Sequence, residues 1–224
     1  MLYETKKTVK LAETIFDIAY LSIVSISACL LLTYTASVGS LQWKFGWLTL
    51  LLAVGDAFHL IPRIKAMWNP KLTNHMTALG IGKMISSITM TLFYFGLWHI
   101  GTGFYGKYNQ YLNVVVVFLV VIRIIFCLLP KNNWISGERS SRWALWRNLP
   151  FFLLGVTVMT LFAVGAAGNT TGFGLLWLVL LISFACYLPV VLYSNRYPKV
   201  GMLMIPKSCA YIAIVLMGFS FPCT

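Results

Sequence analysis

The chain has 224 residues, 59% of them hydrophobic and 10% charged, with 17 Lys and Arg against 5 Asp and Glu for a formal net charge of +12. Soluble domains carry about 25% charged residues, so this composition, with a mean hydropathy of +0.83, excludes an ordinary water-soluble fold. The length allows one domain over 1–224, and the positive surplus has no separate basic region to sit in. It points to loops held against an anionic membrane face, and not to nucleic acid.

A helix needs about 20 apolar residues to cross a bilayer. Runs of that kind lie at 13–35, 45–64, 78–100, 111–130, 149–167, 173–194 and 201–221. They predict an all-α polytopic membrane protein with seven transmembrane helices. The first run follows Lys6, Lys7 and Lys10 as a signal peptide would. It is too long for such a segment and carries Asp17, so it counts as a span. The second ends in Gly55-Asp56-Ala57-Phe58-His59-Leu60-Ile61-Pro62-Arg63. Asp56, His59 and Arg63 fall at i, i+3 and i+7, on one helix face. Gly55 lets a neighbour approach beside the acid, and Pro62 marks the helix end or a kink. In the third run Lys83, Ser87 and Tyr94 form a second polar stripe. Arg123 stands in the fourth and Lys207 in the seventh.

The cations sort by connection. Lys6, Lys7 and Lys10 precede helix 1; Arg63, Lys65 and Lys71 follow helix 2. Lys131, Arg139, Arg142 and Arg147 follow helix 4, and Arg196 and Lys199 follow helix 6. The alternate connections hold only Lys44 and Lys107, twelve cations against two. The positive-inside rule then puts the N-terminus in the cytoplasm and the C-terminus outside, in a multi-pass protein of the cell membrane. With that topology Asp17, Asp56, His59, Lys83, Arg123 and Lys207 share the inner-leaflet half. Ionisable residues in spans are costly and turn toward a protein interior or a wet cavity. Trp43, Trp47, Trp68, Trp98, Trp134, Trp143 and Trp146 near span ends suit interfacial anchoring, and the stretch 134–146 reads as a short piece lying on the inner surface.

Other chemistries fit poorly. The cysteines (Cys29, Cys127, Cys186, Cys209, Cys223) are scattered in apolar runs and read as small buried hydrophobes. His59, His75 and His99 do not cluster, and His99 falls at the opposite face, so neither a zinc site nor any other cofactor is expected. Gly80-Ile81-Gly82-Lys83 imitates part of a phosphate loop but opens an apolar helix. Lys207 invites a retinal Schiff-base reading, which the lack of an acid in helix 3 disfavours. The sequon 169–171 lies too close to the membrane to be a good acceptor.

Around 55–63, followed by Ala78-Leu79-Gly80, the chain resembles the YhhN family of lysoplasmalogenase-like membrane proteins. A later span, short basic loop and final span at 181–218 look similar too. The resemblance implies hydrolysis of the vinyl-ether bond of lysoplasmalogens, with one acid protonating the alkene and a base activating water. The chain departs from the family in having seven spans for its usual eight. Ser183-Phe184 stands where the family has a Ser-Asp pair, and Lys83 or Ser86/Ser87 stands where it has a His. The expectation is a pocket for a membrane lipid or other amphiphile, with Asp56 as the acid and His59 or Asp17 as the base. Arg63, Lys83, Arg123, Lys207 and Tyr94 would then contact the substrate. The rival is a non-catalytic transporter, receptor or scaffold built on a buried Asp–Lys network.

Overall fold

A computed structural model describes residues 2–33, 37–69, 75–134, 141–167, 172–193 and 197–220. Their long helices are α1 (Leu2–Thr33), α2 (Leu41–Trp68), α3 (His75–Tyr105), α4 (Gln110–Leu128), α5 (Ser141–Ala166), α6 (Leu176–Tyr193) and α7 (Met204–Met217). Short 3-10 turns at Gly172–Leu175, Pro198–Leu203 and Gly218–Ser220 extend α6 and α7. Among the described residues there is no strand. Seven segments there are long and apolar enough to cross a membrane, which makes the chain a multi-pass membrane protein.

The helices are apolar on both sides, as lipid contact requires. On α1, Tyr20, Val24, Ala28 and Leu31 are buried at four- and three-residue spacing, while Ile15, Ile18 and Ile26 are each more than half exposed. Each helix packs on its chain neighbours, and α7 returns to α1. The additional contact of α3 with α5 makes α3 the central helix, and Phe93, Tyr94, Leu97 and Trp98 on it are fully enclosed. The α2–α3 interface is close because two glycines leave room. A Cβ on Gly55 would overlap the Thr89 side chain, and one on Gly82 would overlap the backbone carbonyl of Phe58. Small residues permit such approach where no hydrophobic effect drives helices together.

Several boundaries differ from the hydropathy reading. With 32, 28 and 31 residues, α1, α2 and α3 are about 42–48 Å long at ~1.5 Å per residue, against a hydrocarbon core of ~30 Å. Their ends are helical beyond the apolar run, which hydropathy alone does not detect. Ser40 caps α2 by accepting the Trp43 N–H at 3.1 Å, so the helix starts at Leu41, four residues before the expected start near 45. At its other end α2 passes through Pro62 to Trp68, so Pro62 does not end it; packing against α1 and α3 holds the helix across the missing N–H. Pro150 and Pro189 are likewise inside α5 and α6.

Two expectations about surface placement are corrected. Trp98 is buried, and its indole N–H donates to Asn113 Oδ1 at 3.2 Å, so it ties α3 to α4 and is no interfacial anchor. Cys29 and Cys209 are exposed on the outside of the bundle, although Cys127 is buried as expected. The stretch 134–146 is described only at its two ends. Trp143 and Trp146 are in the first turns of α5, and Trp134 donates to the Cys127 carbonyl at the end of α4. Residues 135–140, with Glu138 and Arg139, lie outside the described residues, as do Lys71, the 169–171 sequon, Arg196, Cys223 and the side chains of Lys6, His75 and Arg142.

Candidate functional site

Two antiparallel helix faces build the site. Glu13, Asp17 and Tyr20 recur at i, i+4 and i+7 on α1, and Asp56, His59 and Arg63 at i, i+3 and i+7 on α2. Because the helices run oppositely, Arg63 meets the start of the α1 set and Asp56 meets its end. Arg63 pairs with Glu13 at 2.9 Å and reaches Asp17 at 3.7 Å. At the other end the Tyr20 hydroxyl donates to Asp56 Oδ2 at 2.6 Å, and Ser86 from α3 donates to Oδ1 at 3.2 Å. Asp17 is 5% exposed and Tyr20 2%, so water is largely excluded from this floor.

Lys207 and Ser208 close the site from α7, beside the 3-10 turn at Pro198–Leu203. Together the four helices enclose a cavity of about 70 Å³ lined by Asp17, Tyr20, Asp56, His59, Arg63, Ser86 and Lys207, among others. The Lys207 ammonium lies over the rings of Tyr211 and Tyr187, 4.7 and 5.5 Å from their centroids. These are cation–π distances. Its charge acts on Asp56 across the cavity, but among the described residues no ion pair within 4.0 Å joins Asp56 to a lysine. The direct partners of Asp56 are hydroxyls. A carboxylate held by two donors, with an ammonium opposite, leaves a polar space that water or one polar ligand group can enter.

Five sequence candidates therefore converge: Asp17, Asp56, His59, Arg63 and Lys207. The other three are elsewhere. Lys83 is on α3, outside the cavity wall, with its carbonyl accepting from Ser87 at 2.8 Å. Tyr94 is enclosed, with its hydroxyl 3.2 Å from that of Tyr211 and Ser183 beside both. This places Ser183 in a tyrosine pair, while Phe184 packs on Tyr94 and Phe151. Arg123 is 2% exposed in a second polar cluster between α4 and α5. It donates to the Arg147 carbonyl and, at 3.0 Å, to Asn148 Oδ1.

Tyr20 and Ser208 were not among the candidates. Tyr20 had a readable signal, since it continues the Glu13–Asp17 face by one more turn; Ser208 had none beyond its place next to Lys207. Among the described residues no group of three or more His, Cys, Asp or Glu side chains could hold a metal ion. The fold and site thus define a multi-pass helical bundle with an ionisable cavity between α1, α2, α3 and α7. No protein-family model, curated protein or solved structure matches the chain.

Proposed function

We propose that this is a YhhN-like membrane protein that binds the polar end of a lysophospholipid-like amphiphile in the Asp56–Lys207 cavity, and that ether-lipid hydrolysis is its chemistry. The observation that carries the reading is the convergence of two carboxylates, Asp17 and Asp56, on one cavity with two cations, Arg63 and Lys207. The N-terminus is cytoplasmic and the C-terminus outside, on the charge asymmetry of the connections, so the cavity belongs to the inner-leaflet half. About 70 Å³ is far below the roughly 300 Å³ of a small-molecule pocket. Only the polar end enters, and the chain stays in the bilayer.

In this reading Asp56 in its protonated form delivers its proton to the alkene carbon of the vinyl ether that does not bear the oxygen. The cation left on the carbon next to oxygen takes water, whose proton passes to Asp17 or His59. The resulting hemiacetal breaks its bond to the glycerol oxygen, which takes the proton held on Asp17 or His59, while the hemiacetal hydroxyl returns its proton to Asp56; an aldehyde and a glycerophospholipid alcohol leave, and one water is consumed. Lys207 and Arg63 hold the anionic head group.

A non-catalytic role has one observation in its favour. Each acid of the cavity already has a partner, Asp56 in Tyr20 and Ser86 and the α1 acids in Arg63, as in a structural or transport network. The two readings separate when purified protein is given a lysoplasmalogen or its ester-linked analogue. Aldehyde release from the first alone, abolished in Asp56→Asn, supports hydrolysis. Saturable binding without release supports the non-catalytic role, and neither binding nor release refutes both.

A further inference from the structure

A second candidate site lies between α5 and α6 and shares no lining residue with the Asp56 cavity. Between α5 and α6 runs an apolar groove of about 430 Å³, walled by Leu145, Leu149 and Phe152 on one side and Leu188 and Val191 on the other. Its one polar wall residue among these is Asn148. Asn148 Oδ1 accepts from Arg123 Nη2 at 3.0 Å and from the Tyr187 hydroxyl at 2.9 Å.

Arg123 makes this groove different from an ordinary lipid-facing seam. Arg123 is 2% exposed, and among the described residues its guanidinium is held only by neutral groups: the Arg147 carbonyl, Asn148, Tyr187 and the Phe151 ring at 5.3 Å. Its Nε has no acceptor, and no carboxylate of the described residues pairs with it. Arginine keeps its proton even there, so an uncompensated charge is embedded behind the groove wall. Lys131 and Arg147, stacked on Trp143 and Trp134, add positive charge at the same end. Among the described side chains the acids, Glu13, Asp17 and Asp56, are gathered on α1 and α2. Asn148 lies about 8 Å along α5 from the start of its apolar stretch at Trp143, at ~1.5 Å per residue.

We propose that the α5–α6 groove binds one anionic phospholipid, with an acyl chain along Leu149, Phe152 and Leu188 and the phosphate at the level of Asn148, where it offsets Arg123. The chemistry selects a lipid with net negative charge over a zwitterionic one, because the sector lacks an acid of its own among the described residues. Occupancy would also hold α5 to α6 where Pro189 leaves the α6 hydrogen-bond ladder incomplete.

The test is native mass spectrometry of purified protein given equal phosphatidylglycerol and phosphatidylcholine with the same acyl chains. Phosphatidylglycerol should be retained over phosphatidylcholine by about fivefold, the preference one basic residue supports near a membrane surface. Leu149→Trp fills the groove from the lipid side, since Leu149 is 48% exposed, and should remove one bound phosphatidylglycerol. Arg123→Gln should abolish the preference and Arg123→Lys keep it; if Arg123→Gln fails to fold, Leu149→Trp and Arg123→Lys still decide. Asp56→Asn should change nothing in this assay. Equal retention of the two lipids, or an unchanged count in Leu149→Trp, overturns the proposal. Loss of the preference in Asp56→Asn also overturns it, because the lipid would then belong to the other cavity.

Discussion

Asp56 is surrounded by three kinds of neighbour, and each predicts a different mutant. Tyr20→Phe removes the shortest hydrogen bond to its carboxylate, 2.6 Å long, and leaves a half-buried oxygen short of a donor. That should cost about 1–3 kcal/mol of stability, read by thermal unfolding in detergent, with Ser86→Ala costing less because its bond is longer at 3.2 Å. Lys207 interacts through space, so Asp56→Asn with Lys207→Met should be less damaged than the sum of the two singles. The pair Asp56→Asn with Arg123→Gln should be additive, since Arg123 belongs to the α4–α5 cluster. Additivity in the Lys207 pair as well would mean that the acid and the ammonium do not interact across the cavity. The sequence made the convergence of Asp56, His59, Arg63 and Asp17 legible through helical spacing and charge. It did not reveal that Asp56 is held by hydroxyls, because tyrosine and serine are common in spans and carry no charge imbalance to account for.

Among the helices, the apolar runs located all seven elements, while their ends were set by features hydropathy does not weigh. Ser40 starts α2 by accepting a hydrogen bond from a first-turn N–H, and the first turns of α1 are helical although they are polar. Of the two readings of Pro62, helix end or kink, the first is excluded for a related reason: the residue blocks one backbone bond, but α2 continues through it to Trp68. The closeness of α2 and α3 gives a direct test. Gly82→Leu must push a side chain into the Phe58 carbonyl and should lose about 1–3 kcal/mol, as overpacking does. Gly103→Leu, in the same helix with nothing within 4 Å of its Cβ, should be neutral or slightly stabilising, because glycine itself costs a helix about 0.5–1 kcal/mol. Equal unfolding temperatures for the two variants would contradict the close α2–α3 packing.

For the molecule as a whole, charge placement carries the topology. In a cysteine-free background, single cysteines at Lys65, exposed in the last turn of α2, and at Lys131, exposed after α4, should resist impermeant thiol reagents in intact cells. One at Lys107 should react. The reverse pattern would move the cavity to the outer leaflet and remove the cytoplasmic assignment. The site was less legible than the number of spans because a 70 Å³ cavity is assembled from four helices, and sequence spacing relates residues only within one. The most direct test of the central claim is the identity of the lipid that co-purifies in mild detergent. Mass spectrometry should find a single-chain phospholipid enriched over its share of the source membrane in the wild type. The enrichment should be lost in Lys207→Met but kept in Leu149→Trp. A lipid profile equal to that of the bulk membrane, or one unaltered by Lys207→Met, would contradict a cavity that receives an amphiphile's polar end.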